Sequence, residues 1–94
     1  MSEQWVAEVL VMPKDGVNDP QGEAIAGGLH DLGYSSVSRV RSGKRFTIEL
    51  TACSESEARS SAESMADRLL ANPVIEIFWI EEVAPKRQSN ANAS

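Results

Sequence analysis

Histidine and cysteine are almost missing from this chain: His30 and Cys53 are the only ones in 94 residues. One cysteine excludes an internal disulfide and fits a reducing compartment, and one histidine leaves no His/Cys set of metal-ligand spacing. Positive charge is also scarce, with nine Lys and Arg against fourteen Asp and Glu and a net charge of −5. A nucleic-acid binder would normally carry a basic stripe, so that class is disfavoured. No apolar run approaches the ~20 residues that span a bilayer. No apolar segment follows the Met1-Ser2-Glu3-Gln4 start, so a secretory signal is not expected. The composition reads as a single cytoplasmic domain over residues 1–83, with the Asn- and Ser-rich residues 84–94 as a disordered tail.

What is present falls into short periodic stretches. Trp5 to Met12 is rich in β-branched residues and apolar on both alternating faces, which predicts a central strand. Residues 20–32 place Ile25, Gly28, Leu29 and Leu32 at the i, i+3, i+4, i+7 spacing of a helix, with Gly33 as its C-terminal stop. The pair Gly27-Gly28 costs about 1–2 kcal/mol of helix propensity, and close approach of this helix to a sheet would offset it. Ser36 to Arg41 is expected as a short strand, and Ser42-Gly43 as a two-residue hairpin turn. Lys44 to Thr51 alternates cleanly, with Phe46, Ile48 and Leu50 on one face. Ser54 and Glu57 form a capping box for a second helix carrying Ala58, Ala62, Met65 and Leu69 on one stripe, stopped by Asn72-Pro73. Val74 to Val83 reads as the last strand. The order is βαββαβ, the ferredoxin-like α+β arrangement of a four-stranded antiparallel sheet with two helices on one face. The other face would expose apolar side chains, so self-association through it or through its edges is expected.

The connection from the first strand to the first helix, Val11 to Gly22, concentrates unusual residues: Pro13, Lys14, Asp15, Gly16, Asp19, Pro20 and Gly22. Pro13 ends a strand because it has no N–H for a ladder. Asp15-Gly16 supplies a tight turn. Asp19 caps the helix with Pro20 at its first position. Those roles account for the residues structurally, and loops on a rigid scaffold also serve as docking sites. Arg39, Arg41, Lys44 and Arg45 cluster in the expected hairpin, either as a solvated turn or as a patch for an acidic partner or a phosphate.

No catalytic set emerges. His30 sits on the first helix with no partner for acid–base work. Cys53 lies just before a helix cap, a position that favours thiolate chemistry, although an inert buried thiol is the expectation. Glu55, Glu57 and Glu63 complement a helix start and its solvent face. Ser42-Gly43-Lys44-Arg45 lacks the leading glycine and following helix of a phosphate-binding loop. No catalytic, cofactor-binding or metal residue is therefore assigned.

Four separated motifs occur in one order: Lys14-Asp15-Gly16-Val17-Asn18-Asp19-Pro20-Gln21-Gly22, Leu32-Gly33-Tyr34, Val40-Arg41-Ser42-Gly43-Lys44 and Leu69-Leu70-Ala71-Asn72-Pro73-Val74-Ile75-Glu76. Together they resemble the PurS family, the small subunits of bacterial phosphoribosylformylglycinamidine synthase (formylglycinamide ribonucleotide amidotransferase), across roughly residues 5 to 83. The resemblance implies a non-catalytic subunit of a ligase complex in purine biosynthesis. ATP and magnesium would be bound by the synthetase partner, and ammonia would be released by a glutaminase partner. This chain, as a homodimer or homotetramer, would bridge the two. Carried over by motif, the partner-binding positions would be Lys14, Asp15, Gly16, Asp19, Pro20, Arg41, Gly43 and Lys44. Asp15 and Asn18 stand where proline and leucine are common in the family pattern, and Ile77-Phe78-Trp79-Ile80 is more apolar than usual. A small ferredoxin-like regulatory module that binds a metabolite as an oligomer is the alternative, and an enzyme acting through Cys53 or His30 is a third.

Overall fold

In the structure, a computed structural model that describes residues 2–86, three antiparallel strands form one sheet in the order β2-β1-β3. Strand β1 (Glu3–Pro13) is central. It pairs with β2 (Lys44–Ala52) and with β3 (Glu76–Pro85). Central placement is what two apolar faces on one strand demand. Trp5, Ala7, Val9 and Val11 point to one face and are buried, while Val6, Leu10 and Met12 point to the other and are half-buried.

A single helical layer covers the first face. Helix α2 (Glu55–Met65) starts at Ser54, whose Oγ accepts from the Glu57 amide at 3.1 Å. Glu57 reaches back as a capping box requires, but its Oε1 accepts from the Cys53 amide at 2.6 Å. The buried stripe is made of alanines: Ala58, Ala62 and Ala66 are fully buried. Small side chains let the helix lie close on the sheet, so one layer buries Val9 and Val11 completely.

Two one-residue adjustments set the rest of the packing. The helix ends in a π turn (Ala66–Leu70), in which the Ala71 amide donates to the Ala66 carbonyl five residues back. The extra residue rotates Leu69 out to 83% exposure and carries Ala71 into the core. The expected stripe through Met65 and Leu69 is therefore corrected to one through Ala66 and Ala71. Asn72 stops the helix by accepting the Val74 amide on its Oδ1 at 3.1 Å. In β3, a register shift opposite Glu8/Val9 changes which side chains face inward, so that Val83 joins Trp5, Ala52 and Ala58. β3 continues through Ala84 and Pro85, which the sequence reading assigns to the tail. Residues 87–94 of that tail lie outside the described residues.

Two fold expectations are corrected. Residues 36–41 form no strand, so the sheet has three strands and not four. Val37 and Val40 are that segment's only apolar residues, and their three-residue spacing cannot line one face of a strand. The amide of Ser42, where a hairpin was expected, goes to a carboxylate. The second correction concerns α1 (Pro20–Asp31), which is well formed but has no extended packing against any strand or against α2. Its end is a Schellman closure, with Gly33 N–H on the His30 carbonyl and Tyr34 N–H on the Leu29 carbonyl, both at 3.0 Å. Residues 14–43 thus make an arm that leaves the sheet at the end of β1 and returns at the start of β2.

Candidate partner-docking site

The base of this arm gathers the eight expected partner-binding residues. Beyond Pro13, the Lys14 amide donates to the Ile75 carbonyl at 2.9 Å, adding one more rung beside β3. The chain then turns: Val17 N–H reaches the Lys14 carbonyl at 3.1 Å, with Gly16 at φ +84° in the third position, where a side chain would be strained.

Asp19 is the centre. Its Oδ1 accepts from the Gly22 amide at 3.0 Å, the N-cap expected with Pro20 at the first helical position. Its Oδ2 accepts from the Ser42 amide at 2.8 Å, across 23 positions of sequence. One carboxylate therefore ties the start of α1 to the segment returning to β2. These two amides, Ser42 first and Gly22 second, hold the Asp19 carboxyl below its ordinary pKa against the opposing effect of desolvation, and Arg41 and Arg39 add to the lowering.

Arg41 completes the clasp from the other side, its Nη2 donating to the Pro13 carbonyl and its Nη1 lying 3.6 Å from Asp15. Gly22 and Gly43 are both required by close approach. A Cβ at Gly22 would collide with the Val40 carbonyl and Asp19, and one at Gly43 with Met12 and the Val11 carbonyl. Farther along the arm, the His30 imidazole hydrogen-bonds the Val37 carbonyl through Nε2 at 2.7 Å, a structural tie between α1 and the returning segment. An open cleft lies over the clasp, lined by Asn18, Asp19, Pro20, Gly43, Lys44 and Glu76.

Three cations of the expected cluster, Arg41, Lys44 and Arg45, face acids of their own chain. Lys44 lies 3.8 Å from Glu76, and Arg45 lies 3.4 Å from Glu8 and 3.2 Å from Glu81. Those three members of the expected basic cluster are thus drawn into mixed-sign pairs. Ser42, Gly22 and Glu76 are site residues that sequence reasoning did not select. Ser42 carried no signal, because its contribution is a backbone amide directed at a distant residue. Cys53 is exposed, not buried as expected, with its Sγ 4.0 Å from the Ser2 hydroxyl. Among the described residues, no three His, Cys, Asp or Glu side chains are grouped to hold a metal, and no helix is long and apolar enough to cross a membrane.

Comparison with known proteins agrees across nearly the whole fold. The family model described as PurS, phosphoribosylformylglycinamidine (FGAM) synthase, matches residues 6–84. The chain is similar to the phosphoribosylformylglycinamidine synthase subunit PurS of Synechocystis, at 40% identity over 84 residues covering 89% of this chain and 84% of that one. Among solved structures it is similar to Thermus thermophilus PurS, with a TM-score of 0.81 and 39% identity over 89% of this chain and 99% of that one. It is also similar to a chain of the PurLQS structure from Thermotoga maritima, with a TM-score of 0.74 and 28% identity over 88% and 98% of the two chains. With the match spanning both the sheet and the arm, the chain belongs to the PurS family.

Proposed function

We infer that this chain is the small assembly subunit of a cytoplasmic phosphoribosylformylglycinamidine synthase in purine biosynthesis. The observation that carries this is the end-to-end similarity to a chain from a PurLQS structure, 88% of this chain against 98% of that one. In that role the chain contributes surface and geometry. Synthetase and glutaminase would be held so that ammonia from glutamine passes to formylglycinamide ribonucleotide without loss to solvent. ATP and magnesium would act on the synthetase. The chain would also associate with itself, as a homodimer or homotetramer.

Within that reading the clasp is the docking element. The paired hydrogen bonds of Asp19 and the seating of Arg41 on Pro13 fix the backbone of Lys14 to Pro20 before any partner arrives. A preset loop loses less entropy on binding. Lys14 and Asp15, exposed on it, and Lys44 beside it are the side chains offered to a partner.

Reconstitution with the two larger subunits tests the assignment. Omitting this chain should abolish glutamine-dependent synthesis while ammonia-dependent synthesis by the synthetase continues. Equal glutamine-dependent rates with and without it would remove the proposal.

A further inference from the structure

The motif Leu69-Leu70-Ala71-Asn72-Pro73-Val74-Ile75-Glu76, which joins the π turn to β3, carries apolar surface that the fold does not use. The π turn leaves Leu69 exposed, and Val74 in the following turn is 78% exposed. This turn is nevertheless tightly tied. The Asn72 amide donates to Glu76 Oε1 at 2.7 Å, and the Val74 amide to Asn72 Oδ1. The Ile75 and Glu76 amides both donate to the Asn72 carbonyl, at 3.0 and 2.7 Å. A backbone fixed in this way presents its side chains in one position, and a preset surface loses less entropy when a partner arrives.

Beside the turn lies a cavity of about 230 Å³. Ala71, Pro73, Ile77 and Phe78 give it apolar walls, with Phe78 packed against the Val9 and Val11 core, and Lys14 and Asp67 line it as charged members. Its volume decides what class of group it takes. It is smaller than the ~300–1,000 Å³ of small-molecule sites, and larger than the ~150 Å³ that accepts a benzene ring. One aromatic side chain fits. Among the described residues, Lys14 and Asp67 make no ion pair, whereas Arg41, Lys44 and Arg45 do.

We propose that this cavity is the socket for one aromatic side chain of a larger subunit, carried on a segment that also offers a basic residue to Asp67. Continuity with the clasp argues for that occupant over a second copy. Glu76 lines both the cavity and the cleft over the clasp, and the Lys14 amide joins the two through the Ile75 carbonyl. Self-association has other apolar surface to use, in the open sheet face with Trp79 and in the exposed Ile25 and Leu32 of α1. The Lys14 ammonium favours the face of an aromatic ring. Aromatic anchors seated in pockets also carry much of the binding energy of protein interfaces. Clasp and socket then form one docking surface, polar at the start of α1 and apolar at the end of α2.

This rests on the assembly role inferred above, and the test separates the two. Wild type, Asp67→Lys/Val74→Glu and a control, Glu63→Lys on the outer face of α2, are titrated with the two larger subunits. The same chains alone are compared by sedimentation equilibrium. All three changed positions are exposed, and far-UV circular dichroism with tryptophan emission reports the fold. The expected result is a double variant that binds the larger subunits about 10- to 100-fold more weakly, as damage to an interface anchor produces. It should self-associate as wild type does, and Glu63→Lys should bind normally. A double variant that binds like wild type overturns the socket and leaves the assembly role intact. A wild type that does not join the larger subunits overturns both. Altered self-association of the double variant makes a second copy the occupant and sinks the proposal, as does equal weakening by Glu63→Lys. A second measurement needs no variant. Hydroxyl-radical labelling of Leu69 and Pro73 in the wild-type chain should be lost on assembly with the larger subunits and unchanged when the chain alone is concentrated. Labelling that persists in the complex overturns the proposal.

Discussion

The two halves of this small protein are built by opposite rules. In the sheet and α2, burial dominates: Val9, Ala58, Ala62 and Ala66 have no exposed surface, and a cap, a π turn and a bulge keep the packing in register. In the arm, residues 14–43, Gly22 alone is buried within the helix, and hydrogen bonds through Asp19, Arg41 and His30 fix the shape. One half stores stability and the other holds a surface in position. An assembly subunit needs both, because a binding element that also formed the core could not keep its apolar side chains outside.

The contrast breaks most visibly under truncation in the sheet half. Trp5→Ala removes the largest buried side chain and its indole bond to the Ala52 carbonyl. A loss of about 3–5 kcal/mol in chemical denaturation is expected, as for other buried tryptophans. Ala62→Leu, which forces extra volume between α2 and the sheet, should cost about 1–3 kcal/mol. Ser54→Ala, removing the cap of α2, should cost about 0.5–2 kcal/mol by the same measurement. In the arm, Ile25→Ser and Leu32→Ser in dilute protein should change stability by less than about 0.5 kcal/mol, because neither side chain is buried there. A large loss from either would erase the division.

Acid sharpens the same comparison. The Asp19 carboxyl is held below its ordinary value of 3.8 in the folded chain. A depressed carboxyl contributes its stabilisation above the unfolded value, and that contribution is lost as pH falls through the lower folded value. The clasp should therefore loosen on acidification below that ordinary value, seen as movement of the Ser42 and Gly22 amide resonances. The corresponding amides of α2 should not follow. Asp19→Ala should produce the loosened state at neutral pH.

The sheet half was legible in the sequence because period and burial coincide there. Trp5 to Met12 announced a central strand, the alternation from Lys44 announced β2, and Ser54 with Glu57 announced the start of α2. The π turn and the bulge were not legible, since one inserted residue alters facing without altering composition. The arm was legible locally but not globally. Asp19-Pro20 and Gly33 correctly bounded α1, but nothing in either segment announced that Asp19 and Arg41 tie the loop to residues 41–44. The stripe Ile25, Gly28, Leu29, Leu32 revealed an apolar face but not which surface it covers, so α1 was placed on its own sheet. The expected strand at 36–41 failed for a related reason. A returning segment held by side-chain bonds to Asp19 and His30 has the length of a strand without needing its alternation.

Hydrogen exchange measured on the chain at low and at high concentration tests the division of labour most directly. The account predicts amides of β1 and α2 protected equally at both concentrations, and amides of α1 exchanging fast when dilute and becoming protected on assembly. If α1 is already protected in the dilute chain to the level of β1, the arm belongs to the core and the account is contradicted.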